Sequence, residues 1–130
     1  MKGTTWIAIG CMLGGIAVIL GAFGAHGLKQ RVASGQMTVE QMEWFETGAR
    51  YQFYHVFGIL ALGMLALRAG GSLVDAAGWA FVIGIVLFSG SLYVMTFTGM
   101  KKLGMITPIG GLAFIFGWFL MAYAAWKNAG

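Results

Sequence analysis

Four long apolar runs, each closed by a short polar, basic or glycine-containing segment, divide the chain into helical segments. A hydrocarbon layer about 30 Å thick needs about 20 apolar residues per helical crossing. The runs at about 5–25, 50–68, 73–98 and 104–126 meet that length or nearly so. The pattern therefore predicts an all-α integral membrane protein. Its expected architecture is a four-transmembrane-helix bundle forming one membrane domain over residues 1–130, with an interfacial amphipathic extension at about 38–50 that opens helix 2.

The bundle is expected to form around the helix predicted for Thr38 to Arg68, which has a charged first half and an apolar second half. Thr38-Val39-Glu40-Gln41 is a capping box, and Met37 and Met42 are placed to form its hydrophobic staple. At 100° per residue Glu43, Glu46, Arg50 and Tyr54 share a face, on which Glu46 and Arg50 have ion-pair spacing. Trp44, Tyr51 and His55 share a second face. A helix of 31 residues would be about 46 Å long, so about a third of it is expected in the headgroup layer, with Gly48 as a bend.

Elsewhere the punctuation is small residues. Gly10 and Gly14 form a GxxxG pair suited to close helix packing, as are Gly21, Gly24, Gly90 and Gly110. Lys29 to Met37 reads as a loop, and Ala69-Gly70-Gly71 as the connector of a helical hairpin. Ser72 with Asp75 suggests an N-cap, and Thr107-Pro108 suggests the start of the regular part of the last span. Trp6 and Trp126 fit interfacial belts, and Trp118 looks more central.

Composition strengthens this picture. Hydrophobic residues make up 59% and charged residues 9%, far below the roughly 25% charged content of a soluble surface. Mean hydropathy is +0.82. The excess of basic residues flanks apolar runs, as membrane topology requires, and so argues for lipid contact rather than nucleic acid. Loops after spans one and three hold Lys29, Arg31, Arg50, Lys101 and Lys102, against Lys2, Arg68 and Lys127 on the other side. That balance places both termini outside. Cys11 is the only cysteine, so no disulfide forms within the chain.

Four stretches, GAFGAHGL (21–28), RYQFYH (50–55), LFSGSLY (87–93) and ITPIGG (106–111), resemble the YgdD-like family of small bacterial inner-membrane proteins. That family has a mitochondrial branch called transmembrane protein 256. The resemblance covers nearly the whole chain and implies four helical spans, with no activity attached. His26, Tyr51, Gln52, His55, Ser89, Ser91, Tyr93 and Pro108 fall on the resembling motifs, as do Gly21, Gly24, Gly90 and Gly110. Arg50 stands outside that pattern.

The candidate polar or binding cluster is His26, Glu46, Arg50, Tyr51, Tyr54, His55, Ser89, Ser91 and Tyr93. His26 and His55 sit at expected membrane boundaries, where they could approach each other and handle protons. With Glu46 they would offer an oxygen–nitrogen metal site, but no HxxxH or ExxH spacing supports one, and neither metal nor cofactor is expected. No carboxylate lies mid-span, and no nucleophile–base set stands out. Three functions remain open. One is a non-enzymatic scaffold or accessory protein acting by helix packing, with itself or with a partner. The second is an oligomeric permeation or transport protein. The third is a lipid- or quinone-binding protein that uses Trp44, Tyr51 and Tyr54.

Overall fold

A computed structural model describes residues Met1–Ala129 and contains four long helices, with no strand among the described residues. Helix α1 is Gly3–Ala33, α2 is Val39–Arg68, α3 is Ser72–Thr98, and a 3-10 turn at Lys101–Met105 leads into α4, Thr107–Lys127. Three helical stretches are long and apolar enough to cross a membrane: Gly3–Ala33, Ser72–Thr98 and Lys101–Lys127. The expectation of four equivalent spans therefore becomes three plus a fourth helix of comparable length. Arg50, Gln52 and His55 make α2 less apolar than its neighbours.

Helix α1 continues through residues expected to form a loop. A π-helical turn at Gly24–Leu28 carries it on to Ala33, because small Gly24 and Gly27 allow the wider turn without breaking the ladder. A second π turn, Ile85–Ser89, lies inside α3. Helix α2 starts as its sequence specifies. The Thr38 side chain accepts from Gln41 N–H at 3.1 Å, and Gln41 Oε1 accepts from Thr38 N–H at 3.0 Å. Met37 and Met42 pack in one cluster with Leu28 and Phe45.

Helix α2 then runs unbroken past Gly48. Gly48 admits a close approach of α3: a Cβ there would meet the Tyr93 ring at 2.9 Å and the Ser89 carbonyl at 3.3 Å. The first turns of α2 are thus packed between the ends of α1 and α3. They continue without interruption into the rest of the helix.

Close approaches at glycine set the order of the helices. Gly3, Gly10, Gly14 and Gly24 of α1 face Gly63, Leu60, Val56 and Phe45 of α2. Gly58 of α2 faces Phe81 of α3, and Gly84 of α3 faces Phe114 of α4. Gly110 and Gly117 of α4 return the approach against Phe88 and Phe81. The helices therefore form an antiparallel row in which α2 and α3 are inner and α1 and α4 flank them. Trp6 closes one end, fully buried, with its ring on Gly78 of α3 and its indole N–H donated to Asp75 at 3.0 Å. Trp6 is therefore an anchor within the core, not a belt residue. Asp75 is occupied by that bond and by the Met1 amino group, so α3 is capped at Gly71 with no side-chain cap. At α4 the cap is Ile106, one residue before the expected Thr107.

The buried core runs from Trp6 through Ile59, Leu62, Ala77 and Phe81 to Phe114. Large apolar residues such as Met12, Ile19, Leu112 and Phe119 point outward. Burying the tightly packed groups inside while leaving an apolar exterior suits hydrocarbon as solvent, where van der Waals packing drives helix association.

Candidate functional site

The site is best located by depth. Charged residues bound the apolar stretches of α1, α3 and α4 at Lys2 and Lys29, Asp75 and Lys101, and Lys102 and Lys127. The middles of those stretches lie near Gly14, Phe88 and Phe114. Gln52 bonds Leu13, Tyr51 packs on Phe88 at 4.7 Å between centroids, and His55 stacks on Phe114 at 3.4 Å. The Tyr51–His55 segment is therefore level with the middle of its neighbours. Hydropathy alone puts His55 at a membrane boundary, and the packing sets it level with the middles of α1, α3 and α4.

Gln52 is the hub. It is 2% exposed; its Nε2 donates to the Leu13 carbonyl of α1 at 3.0 Å, and its Oε1 accepts from the Tyr93 hydroxyl of α3 at 2.7 Å. One side chain thus joins three helices with both ends of its amide satisfied. Sequence reasoning left Gln52 out of the candidate cluster, although it neighbours Tyr51 in a resembling motif.

His55, 6% exposed, donates Nδ1–H to the Tyr51 carbonyl at 2.6 Å. This fixes the tautomer and leaves Nε2 as an acceptor. Phe81 and Trp118 stand beside the same ring, at 5.8 and 6.0 Å between centroids. Tyr51 and Tyr54 are exposed and in edge contact with each other.

On α3, Ser91 donates to the Phe88 carbonyl at 2.9 Å and bonds Thr107 of α4 at 2.6 Å. Thr96 reaches the Leu92 and Gln41 carbonyls, while Gln41 Nε2 returns a bond to the Thr96 carbonyl at 2.9 Å. The Ser89 hydroxyl is fully buried and has no partner among the described residues. The Gln41–Thr96 and Trp6–Asp75 bonds were missed in the sequence because each depends on the register between helices.

The remaining candidates are dispersed. His26 is exposed in the π turn of α1, where neighbouring Gly24 meets Phe45, which lies ten residues, or about 15 Å, from His55 along α2. The two histidines do not approach each other, and among the described residues no three His, Cys, Asp or Glu side chains converge. Among the described residues Glu46 and Arg50 form no ion pair; the pairs found there are Lys101–Glu40 at 3.1 Å and the Met1 amine–Asp75 at 2.6 Å. Arg50 is exposed and Glu46 half-buried, so their shared helix face does not bring them together. Of the glycines expected to pack, Gly10, Gly14, Gly24 and Gly110 meet a neighbouring helix. Gly21 faces open space, and Gly90 has only its own helix, at 4.0 Å.

A family model described as "Protein of unknown function (DUF423)" matches residues 20–111. A UPF0382 membrane protein of Bacillus subtilis, YwdK, is 42% identical over 123 residues, covering 94% of this chain and 96% of the relative. One from Staphylococcus epidermidis is 41% identical over 125 residues, covering 96% and 98%. A third, from Haemophilus influenzae, is 37% identical over 124 residues, covering 95% and 94%. No solved structure matches.

Proposed function

We propose a role for this chain from the premise that it belongs to the DUF423 family, whose curated relatives are named UPF0382 membrane proteins. It is a membrane protein of unknown activity. The reading supported best is a non-enzymatic, multi-pass scaffold or accessory protein that acts by helix packing. In this reading α2 also crosses the bilayer, which makes four spans, puts both termini on the outer side and places the protein in the bacterial inner membrane. The finer resemblance to YgdD-like proteins and transmembrane protein 256 belongs to the same reading.

The observation that carries it is the use made of the polar interior. Gln52, Tyr93, Ser91, Thr96 and Gln41 all bond across helix interfaces. Such bonds contribute about 0.6 kcal/mol each in a membrane and fix register more than they add stability. A polar route or reaction centre would instead hold these groups ready for a substrate.

Reconstitution into liposomes tests this against the transport reading. Proton and small-ion flux is expected to equal that of protein-free vesicles. A flux that disappears in Gln52→Ala or His55→Ala would overturn the scaffold reading in favour of transport.

A further inference from the structure

A groove of about 300 Å³ opens between α3 and the segment that leads into α4. Val86, Gly90 and Val94 line it on α3, and Leu103 and Ile106 on the other side. Its one polar side chain is Ser91, whose hydroxyl already donates to the Phe88 carbonyl and bonds Thr107. The walls therefore keep no side-chain donor for a polar guest. Gly90 shapes the floor. Its φ of −59° is ordinary right-handed helix, open to any residue, and a Cβ there would meet only its own helix, at 4.0 Å. Glycine inside a helix costs stability relative to alanine. Neither backbone geometry nor a neighbouring helix calls for glycine at 90, and the space left by its missing side chain belongs to the groove.

The groove runs the depth of one leaflet. Val86 lies beside Phe88, level with the middles of the apolar stretches, and Val94 is eight residues, or about 12 Å, further along α3. Half of a hydrocarbon core about 30 Å thick is about 15 Å. At the outer end Leu103 follows Lys101 and Lys102 in the same 3-10 turn. Lys101 is held by Glu40 of α2 at 3.1 Å, and Lys102 is exposed with no acidic partner among the described residues.

We propose that this groove is a selective site for one anionic phospholipid, with an acyl chain along Val86 to Val94 and the phosphate at Lys102. Three observations name the occupant. The groove reaches from the middle of the membrane to its basic edge, as an acyl chain does. It offers no side-chain donor on the way, so a quinone ring would bring its carbonyls to walls that cannot bond them. It ends at an unpaired lysine, which complements a phosphate. The inference needs only α3 and α4 to cross the bilayer, and holds whether or not α2 does.

The test is native mass spectrometry of the full chain, stripped of lipid in neutral detergent and titrated with phosphatidylglycerol or with phosphatidylcholine of the same acyl chains. A single phosphatidylglycerol is expected to bind before any further adduct, about fivefold more tightly than phosphatidylcholine. Gly90→Leu fills the floor of the groove and should lose this first adduct, as should Val94→Trp, which fills it from a side chain already 50% exposed. A lipid-free melting temperature equal to that of the parent shows that each variant is folded. Lys102→Gln changes only an exposed side chain and should remove the preference for phosphatidylglycerol, whereas Lys127→Gln at the opposite edge should not. A first adduct that survives in folded Gly90→Leu or Val94→Trp overturns the site, as does a preference that survives Lys102→Gln. Equal binding of the two lipids overturns it too. So does adduct formation that rises with lipid concentration without a saturating first step, the behaviour of lipid held anywhere on an apolar surface.

Discussion

The Tyr93 hydroxyl donates to Gln52 Oε1 at 2.7 Å, and this bond holds α3 to the helix that also grips the Leu13 carbonyl of α1. Removing the two partners should have unequal effects. Gln52→Leu strands the Tyr93 hydroxyl in the interior and is expected to cost about 1–3 kcal/mol. Tyr93→Phe keeps the amide bonded to Leu13 but strands the buried Gln52 Oε1, and is expected to cost about 1 kcal/mol, the lower end of that range. Reversible unfolding in mixed micelles reads both, and the double variant should lose less than the sum of the two.

Two serines on one helix should respond in opposite directions. Ser91 bonds across to Thr107, so Ser91→Ala is expected to lower stability by about 0.6 kcal/mol. The Ser89 hydroxyl is buried and has no partner among the described residues, so Ser89→Ala is expected to be neutral or stabilising. A clear loss of thermal stability in Ser89→Ala would show that the hydroxyl has a partner in the membrane.

Glycine tolerance should follow the packing map. At Gly78 a Cβ would overlap the Trp6 ring, which cannot retreat because its N–H is held by Asp75 and its edge by Trp79. Gly78→Ala is therefore expected to cost about 1–3 kcal/mol and to lower the detergent melting temperature. Gly21→Ala meets nothing within 4 Å and should be neutral or slightly stabilising.

At the charged end of α2, exposure decides the magnitudes. The Lys101–Glu40 pair has side chains 70% and 54% exposed, so Glu40→Gln should cost under about 1 kcal/mol. Gln41→Ala removes half of a capping box and the bond to the Thr96 carbonyl, and is expected to cost about 1–2 kcal/mol. Chemical denaturation of the two variants side by side checks the order.

Features confined to neighbouring positions were legible in the sequence. The capping box at Thr38 and Gln41, the Ala69–Gly71 connector and the apolar runs of α1, α3 and α4 all depend on local chemistry. Features set by register were not. Nothing near Trp6 signals that it will meet Gly78 and Asp75, and nothing near Gln52 signals Leu13. Nor was the level of Arg50 to His55 along the row legible, because hydropathy marks only where the polar residues of α2 begin. Helices α1, α3 and α4 continue past that level, and their packing sets how deep those residues lie. Glu46 and Arg50 show the same limit: helical spacing brings two charges to one face without orienting them toward each other.

The most direct measurement is cysteine accessibility along α2 in a Cys11→Ser background, using an impermeant maleimide on sealed vesicles of each orientation. Thr38→Cys and Gly70→Cys should each react from one side only, on opposite sides, and Tyr54→Cys from neither. Labelling of Tyr54→Cys from water, or of both ends from the same side, would contradict a fourth crossing with its polar hub in the middle of the membrane.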